Sequence, residues 1–493
     1  MAQASRKVVV IGAGYAGLVA AACLAQQGFE VTVLEKNTQP GGRARMFEAA
    51  GFRFDMGPSW YWMPEVLETF FHRFGHTAAD FYTLKQLDPS YAAFFGPGHV
   101  MHMPAHPEAR MQLFESYEKG SGARLKKFLA EAAYKYKVGM EEFAFKPGRS
   151  VRELADVRIL QSLFKLHLFR PFHHYIRRFF YNKYLLQVLE FPILFLGAMP
   201  QKTPALYSMM NYADIALGTW YPTGGMHEPI KALVKLNEAL GTRIVTDAEV
   251  QELSIGNAQI QQVHTAGQSF RADLVIANGD YHYVEQHLLP APYRTYSKAY
   301  WDKRVLAPSC LLYYLGVNKK LTQLLHHNLF FHDSLQQHFQ EIYKTPQWPT
   351  NPLFYVSCTS KTDPTVAPAG CENLFILVPV APGLQDTPAI REQYLHFTLQ
   401  KIEALAGQAI TEHIIYQRSY AYQDFVRDYH AFKGNAYGLA STLRQTAIFR
   451  PSLRSKKLKN LYYTGQFTVP GPGVPPAVIS GQVVAEEVIK AWR

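Results

Sequence analysis

The residues with the clearest chemistry are glycines near the start of the chain. Gly12, Gly14 and Gly17 stand at the spacing Gly-x-Gly-x-x-Gly, directly after the apolar, β-branched run 8–11. Gly12 permits a tight turn, Gly14 lets the backbone approach a pyrophosphate, and Gly17 lets a helix pack closely on the strand. Free N–H groups at the start of that helix favour phosphate. The pattern predicts a site for a dinucleotide.

An acidic residue extends this pattern. A second apolar strand, 31–34, leads to Glu35, which stands eighteen residues after Gly17. A carboxylate at this place accepts hydrogen bonds from ribose hydroxyls and disfavours a 2′-phosphate. We therefore predict that Glu35 binds the ribose.

A signal peptide is the alternative interpretation of the N-terminus. Residues 8–25 carry no charge and follow Arg6 and Lys7, as the apolar part of a signal sequence does. The glycine spacing and the second strand favour a nucleotide-binding unit instead.

A second loop narrows the choice of dinucleotide. Gly41, Gly42 and Arg43 follow the acidic strand end, where they can fold over a bound dinucleotide. Arg43 can pair with its phosphate or line a flavin edge. Rossmann units that bind NAD do not need this extension, whereas FAD-dependent oxidoreductases of the glutathione-reductase and amine-oxidase type carry it. We therefore expect FAD.

Composition limits the remaining partners. The chain has 493 residues, is 48% hydrophobic and 14% aromatic, and has a formal charge of +11. This aromatic content favours an apolar cavity, a membrane-facing surface, or both. The charge fits nucleic acid, anionic lipid or a polyanionic cofactor, and with a dinucleotide site present we expect no nucleic-acid partner. Four widely spaced cysteines without a CxxC motif indicate no zinc site and a reducing compartment.

The elements that position these residues come from distant parts of the chain. We predict strands at 243–245, 248–253, 273–279 and 460–465 in the nucleotide-binding sheet, and a closing helix at 477–492 after a stiff Pro-Gly turn. Strands at 309–317, 353–359 and 373–379 suit one wall of a substrate chamber. The fold class is thus α/β, a discontinuous Rossmann-type FAD domain with an inserted α+β domain. The predicted divisions are FAD-binding 1–90, 226–285 and 433–493, a mainly helical substrate and membrane region 91–225, and a β-rich substrate region 286–432.

Two segments have aromatic residues in unusual settings. Residues 54–62 join a strand to Gly-Pro and three aromatics, a pattern that suits either backbone beside a flat ring or an ordinary aromatic turn. Between residues 158 and 183, six Lys or Arg and no acid alternate with Phe, Tyr and Leu. That pattern favours a helix in a membrane interface over a solvated basic face. The apolar run 191–200 is too short to span a bilayer, so it dips into one or lines a pocket.

These motifs resemble the bacterial and fungal type phytoene desaturases along almost the whole chain. The matching pieces are the glycine fingerprint 12–17, Glu35, 40–43, 54–59, 220–225 and a C-terminal signature from Asn460 to Ser480. Gln466, Phe467, Val469 and Pro472 depart from the family's commoner residues, which leaves the subfamily open. The fold is thus expected to be amine-oxidase and phytoene-desaturase-like.

The resemblance implies FAD and a C40 carotenoid precursor drawn from a membrane. The cofactor-binding residues expected on this basis and on the motifs are Gly12, Gly14, Gly17, Glu35, Gly42, Arg43, Gly57, Val250, Gly465, Val474 and Pro475. The Asp and Leu-Arg pair of many family members are absent from 181–186, so no catalytic residue is assigned. Asp214, Lys202 and His227 are nearby polar candidates, each expected to be structural, and no metal is expected.

The expected function is desaturation of phytoene to lycopene by hydride transfer to flavin. The nearest alternative is a later-step carotenoid desaturase, an isomerase or a ketolase of the same family. Further off are an amine oxidase and a non-catalytic protein that binds prenyl groups or lipids. We expect a cytoplasmic enzyme on the inner membrane surface that can form homo-oligomers.

Overall fold

A five-stranded parallel sheet brings together distant parts of the chain. The computed structural model describes residues 5–149, 166–168, 170–197, 199–331 and 334–492. In spatial order the strands are Leu461–Tyr463, Leu274–Ala277, Lys7–Ile11, Glu30–Leu34 and Arg243–Val245. All neighbouring pairs are parallel. The discontinuous Rossmann-type arrangement that the sequence predicts is therefore confirmed.

Helices cover this sheet. The fingerprint helix Tyr15–Gln26 contacts Glu228–Ala239 and the closing helix Val474–Trp492. The contact with the closing helix is close, because a Cβ on Gly481 would lie 2.4 Å from the carbonyl oxygen of Ala16. The closing helix is thereby packed directly against the helix that begins at the glycine fingerprint.

One predicted strand does not belong to this sheet. Residues 248–253 were assigned to the nucleotide-binding sheet, and this assignment is wrong. The strand Val250–Gly256 instead pairs antiparallel with Gln259–Thr265, in a separate three-stranded sheet completed by Ser269–Arg271. Gln251 and Glu252 of this strand are exposed, whereas a central parallel strand is buried on both faces.

A seven-stranded mixed sheet forms the second layer. Its strands in spatial order are Ile414–Tyr420, Ser309–Val317, Glu372–Val380, Phe354–Ser357, His327–Phe330, Tyr91–Gly96 and His99–Met103. The predicted strands at 309–317, 353–359 and 373–379 all lie in it. The last two strands come from the region predicted to be mainly helical, so residues 91–103 share a sheet with the β-rich region 286–432.

The remaining regular elements of the described residues are two small antiparallel sheets and a set of helices. A hairpin pairs Met46–Ala49 with Phe52–Asp55, and a second two-stranded sheet pairs Leu84–Gln86 with Trp220–Pro222, which lie far apart in the chain. The other α-helices of five or more residues are Pro64–His72, Pro107–Tyr117, Ser121–Val138, Phe172–Ile176, Lys183–Glu190, Lys298–Asp302, Leu335–Tyr343, Pro388–Ala406 and Tyr422–Tyr429. No helix in these described ranges combines the length and the apolar character needed to cross a bilayer.

The aromatics predicted to face a membrane are buried where the structure describes them. Phe172, Tyr175, Phe179 and Phe180 are at most 6% exposed and pack in the core. The interfacial-helix interpretation is wrong for these four residues, because all of them belong to the hydrophobic core, where Tyr175, Phe179 and Phe180 contact the Phe128 ring in tilted or edge-to-face arrangements. Residues 158–165 and 169 of that prediction lie outside the described residues.

Candidate active site

A single cavity of about 840 Å³ is lined by residues of both large sheets. Its volume lies near the upper end of the range for ligand sites, about 300–1,000 Å³. At one end lie the glycine turns of the parallel sheet, and at the other lie aromatic and aliphatic side chains of the seven-stranded sheet. The cavity therefore joins a nucleotide-type site to an apolar chamber.

The predicted cofactor residues gather at one end of this cavity. Those that line it are Gly12, Gly14, Glu35, Gly42, Arg43, Gly57, Val250, Gly465, Val474 and Pro475. Gly17 is behind the lining, where a Cβ would lie 2.2 Å from the Gly12 carbonyl oxygen. Gly17 is thus required for packing, as its place in the fingerprint indicates, and does not line the cavity.

Two further glycines permit close backbone contacts. Gly12 has φ +99°, a conformation that other residues rarely adopt. A Cβ on Gly57 would lie 2.5 Å from the carbonyl oxygen of Arg43. The turn after the strand Phe52–Asp55 therefore lies directly against the Gly41–Arg43 loop, and both face the cavity.

Glu35 is held at the carboxyl end of its strand. Its Oε2 accepts a hydrogen bond from the Ala13 backbone N–H at 2.8 Å, and its Oε1 accepts two from Asn37. The residue is 4% exposed and lines the cavity. Oε1 uses both lone pairs on Asn37, whereas Oε2 retains one, with which the carboxylate can still accept a ribose hydroxyl.

Arg43 is a half-buried cation whose charge no ion pair within the described residues neutralises. It donates one hydrogen bond to the Asn435 carbonyl at 3.2 Å and lies 5.1 Å from the centre of the Tyr429 ring, while its Nε has no hydrogen-bond partner. Asp280 is close enough to act on the pKa of Arg43, which burial lowers. A guanidinium without an ion pair on a cavity wall fits an anionic cofactor.

The closing turn and helix complete this end of the cavity. Gly471 and Gly473 have φ of +139° and +116°, and the helix starts at Val474 with Pro475 and Pro476 in its first turn. Proline is suited to that position because its missing N–H has no helical partner. The positive end of the helix dipole stabilises negative charge in the cavity.

The structure adds residues that the sequence analysis did not assign. Asn278 follows the strand Leu274–Ala277, and its Nδ2 donates to the Gly12 carbonyl at 3.0 Å. Asp280 accepts the Phe432 N–H at 3.0 Å, and burial raises its pKa. Both line the cavity. A polar pair directly after a buried parallel strand is the signal that could have revealed them.

The three polar candidates lie outside the cavity lining. Asp214 is 2% exposed, and its Oδ2 accepts a hydrogen bond from Tyr91 at 3.4 Å. Lys202 is exposed. His227 contacts the Ala44 carbonyl through Nδ1 at 2.7 Å, so it supports the loop that carries Arg43. Their positions fit the structural roles expected of them.

The other end of the cavity is apolar and aromatic. Trp60 lies 5.6 Å from Phe191 and 5.5 Å from Tyr355, measured between ring centroids. Phe331 and Leu377 continue this wall. Phe191 shows that the apolar run 191–200 lines a pocket at its first residue. Such a surface binds hydrocarbon and excludes water.

The fold and the site define an FAD-dependent oxidoreductase. When bound, FAD supplies a flavin ring that accepts hydride. A profile of the family described as flavin containing amine oxidoreductase matches residues 15–489. The chain belongs to this family, and within it to the carotenoid desaturases, which act on CH–CH groups with FAD.

The relatives that support this assignment extend over nearly the whole chain. A carotenoid 3,4-desaturase of Haloarcula japonica is 41% identical, with 98% of each chain covered. A zeta-carotene-forming phytoene desaturase of Myxococcus xanthus is 31% identical, covering 98% of this chain and 94% of the relative.

Solved structures support the fold. A putrescine oxidase bound to putrescine has a TM-score of 0.64 at 13% identity, with 99% of each chain covered. An oxidoreductase of Methanosarcina mazei has a TM-score of 0.62 at 20% identity, covering 97% of this chain and all of its own. At these identities the similarity shows the fold alone.

Proposed function

We propose that this enzyme introduces double bonds near the end of a C40 carotenoid that is already partly desaturated. The observation that carries the proposal is the single cavity, in which the nucleotide-type end opens directly into an aromatic chamber. The cavity of about 840 Å³ has to hold both FAD and the reacting part of the hydrocarbon. The substrate therefore enters the cavity with one end of its carbon chain first. The 41% identical 3,4-desaturase supports a later-step reaction.

The expected conversion of phytoene to lycopene is the second candidate. It is supported by the phytoene desaturases of Myxococcus xanthus and Fusarium fujikuroi, which are 31% and 30% identical. Both candidates use the same chemistry, since each removes two hydrogens from a CH2–CH2 unit. The two candidates differ in how much of the substrate's carbon chain is conjugated before it enters the cavity.

The physical properties of the substrate favour loading from a bilayer. At about 0.8 kcal/mol per CH2, exposing a forty-carbon chain to water costs on the order of 30 kcal/mol. The cavity lining includes the segments 139–148 and 447–449, which carry the exposed rings of Phe145 at 41% and Phe449 at 58%. Lys146 lies in the same segment. We propose that this face touches the membrane surface and admits the polyene.

The test is reconstitution with FAD in liposomes that contain one substrate at a time. Phytoene and an acyclic carotenoid that is already conjugated along most of its length, such as lycopene, are offered separately, and the pigments are resolved by chromatography and absorbance. Conversion of lycopene to a product absorbing at longer wavelength, with phytoene returned unchanged, supports the later-step proposal. Conversion of phytoene to lycopene supports the second candidate. If neither pigment changes and the flavin stays oxidised, both are wrong.

A further inference from the structure

A second, much smaller cavity lies beside the substrate chamber. Its volume is about 10 Å³, close to the smallest space that holds one water molecule. Ser59 and Phe375 line both this space and the large cavity. The other lining residues used below are Asp55 and Ser357. The small cavity is therefore separated from the substrate chamber by a wall that Ser59 and Phe375 share.

Two buried polar atoms at this small cavity have no hydrogen-bond partner. They are Oδ1 of Asp55 and Oγ of Ser357, the latter in a residue that is 2% exposed. The other carboxylate oxygen of Asp55 accepts the Met226 N–H at 2.9 Å. Buried polar atoms are almost always paired, by protein or by water. One water in the small cavity would satisfy both atoms.

Asp55 is placed to change its protonation state near neutral pH. Burial raises its pKa to about 7, against the lowering effect of the Met226 and His227 backbone N–H groups and of Arg53, while Glu228 raises it slightly. The phenols of Tyr15, Tyr221 and Tyr355 also lie close to the Asp55 carboxylate, whose negative charge contributes to raising their pKa. The His227 ring is buried, which lowers its pKa. Asp55 therefore has a basic form available at physiological pH.

We infer that Ser59, a water in the small cavity and Asp55 form a path that takes up the proton released during desaturation. This inference rests on the proposed function. Desaturation breaks two C–H bonds, and one hydrogen leaves with its electron pair as hydride, which the flavin accepts. The electron pair of the second bond forms the new π bond, and its hydrogen leaves as a proton. Ser59 Oγ accepts that proton and passes its own through the water to Oδ1 of Asp55, which becomes a neutral acid.

Tyr355 supports this path as a positioning residue. Its phenol oxygen lies 2.6 Å from Nδ1 of His327, whose Nε2 is buried and has no partner. Burial lowers the pKa of His327, so its ring carries one proton. That proton belongs on Nδ1, because an unpaired buried N–H is costlier than an unpaired lone pair. The phenol hydrogen of Tyr355 is then free to point at Ser59, whose hydroxyl acts on the pKa of Tyr355.

The test compares Asp55→Asn with Asp363→Asn. Asp363 is the matched control, since it is also buried and accepts an N–H of the same turn, from Gly224 at 2.7 Å, yet it lines neither cavity. Flavin reduction by a carotenoid is followed anaerobically by stopped flow between about pH 5.5 and 8.5, a range that brackets the pKa of about 7 of Asp55. We expect the wild-type rate to rise with pH through about 7, and the same rise in Asp363→Asn. Asp55→Asn should be about 100-fold slower and independent of pH. A rise with pH that persists in Asp55→Asn overturns the path.

A second measurement needs no substrate. Difference infrared spectra of the FAD-loaded protein should show the titration of the Asp55 carboxyl near pH 7 in wild type and Asp363→Asn, beside that of Asp214, whose burial also raises its pKa to about 7. In Asp55→Asn the Asp55 signal should be missing while the Asp214 signal stays. Ser59→Ala should keep this titration but slow flavin reduction, and Ser59→Thr should restore the rate. If the titration is seen and no carotenoid reduces the flavin, the proposed function fails. If a carotenoid reduces the flavin and the titration is missing, the path fails.

Discussion

The two ends of the cavity are built in different ways. The FAD end, as we name the end that we assign to the cofactor, consists of turns that follow parallel strands, in which backbone groups and a few polar side chains such as Glu35 and Arg43 face inward. The carotenoid end, which we assign to the substrate, consists of side chains from a largely antiparallel sheet and of rings from outside that sheet, such as Trp60 and Phe191, which contact each other. Backbone contacts at the FAD end require particular residues at fixed spacing. Apolar packing at the carotenoid end accepts many residues of similar volume.

The largest effect is expected from a side chain added at the FAD end. Gly14→Val places carbon atoms where the backbone faces the cavity, and a Cβ there already lies 3.2 Å from Nδ2 of Asn278. The purified variant should lack flavin absorbance. Gly267→Val is the control, since a Cβ at Gly267 meets nothing within 4 Å. A Gly14→Val protein with full flavin occupancy would contradict the assignment of this end to FAD.

Removal of the unpaired charge should have the next largest effect. Arg43→Gln removes the cation that faces the cavity, and a hydrogen bond to a charged group contributes about 1.5–3 kcal/mol. FAD should therefore bind about ten- to 100-fold more weakly, as measured by titrating the apoprotein with FAD. Arg45→Gln is the matched control, because Arg45 is paired with Asp428 at 3.0 Å and does not line the cavity. Equal losses in both variants would show that Arg43 does not bind the cofactor.

A substitution at the carotenoid end should separate the two binding events. Phe191→Leu removes a ring that packs on Trp60 and Tyr91, with centroids 5.6 and 5.5 Å apart. We expect a severalfold higher KM for the carotenoid and unchanged affinity for FAD, because a leucine still fills much of the apolar wall. Affinity is measured by FAD titration and KM by product formation in liposomes. A lower FAD affinity with unchanged KM would reverse the assignment of the two ends.

The smallest effect is expected at the mouth of the cavity. Phe449→Ser removes an exposed ring beside the chamber, and burying a phenylalanine is worth about 1.5–3 kcal/mol when complete. Since a ring in an interface is only partly buried, the free energy of binding to anionic liposomes should weaken by less than this value. Co-sedimentation measures the change. Ile415→Ser is the control, since Ile415 is 52% exposed on the strand Ile414–Tyr420, at the edge of the seven-stranded sheet. Equal binding by both variants would place the membrane contact elsewhere.

The comparison also explains which predictions came from local sequence. The strand, the glycine turn and the helix at 7–26 lie within twenty residues, and each glycine has a local steric reason. The FAD-binding fold and its discontinuity followed from such signals, whereas the meeting of Gly57 and Gly465 with the fingerprint glycines at one cavity came from the tertiary structure. The strand Val250–Gly256 was misassigned because a short apolar alternation does not identify its partner strand.

The sequence by itself determined the cofactor, the family and the presence of an apolar substrate. Only the tertiary structure decided that Phe172 and its neighbours are core, that Tyr91–Gly96 joins the sheet of residues 309–380, and that Asp55 and Ser357 face one small cavity. These contacts join residues that are about 50 to 300 positions apart, and no local pattern encodes such a distance. Burial and pairing of this kind arise only when the sheets pack together, which also raises the pKa of Asp55.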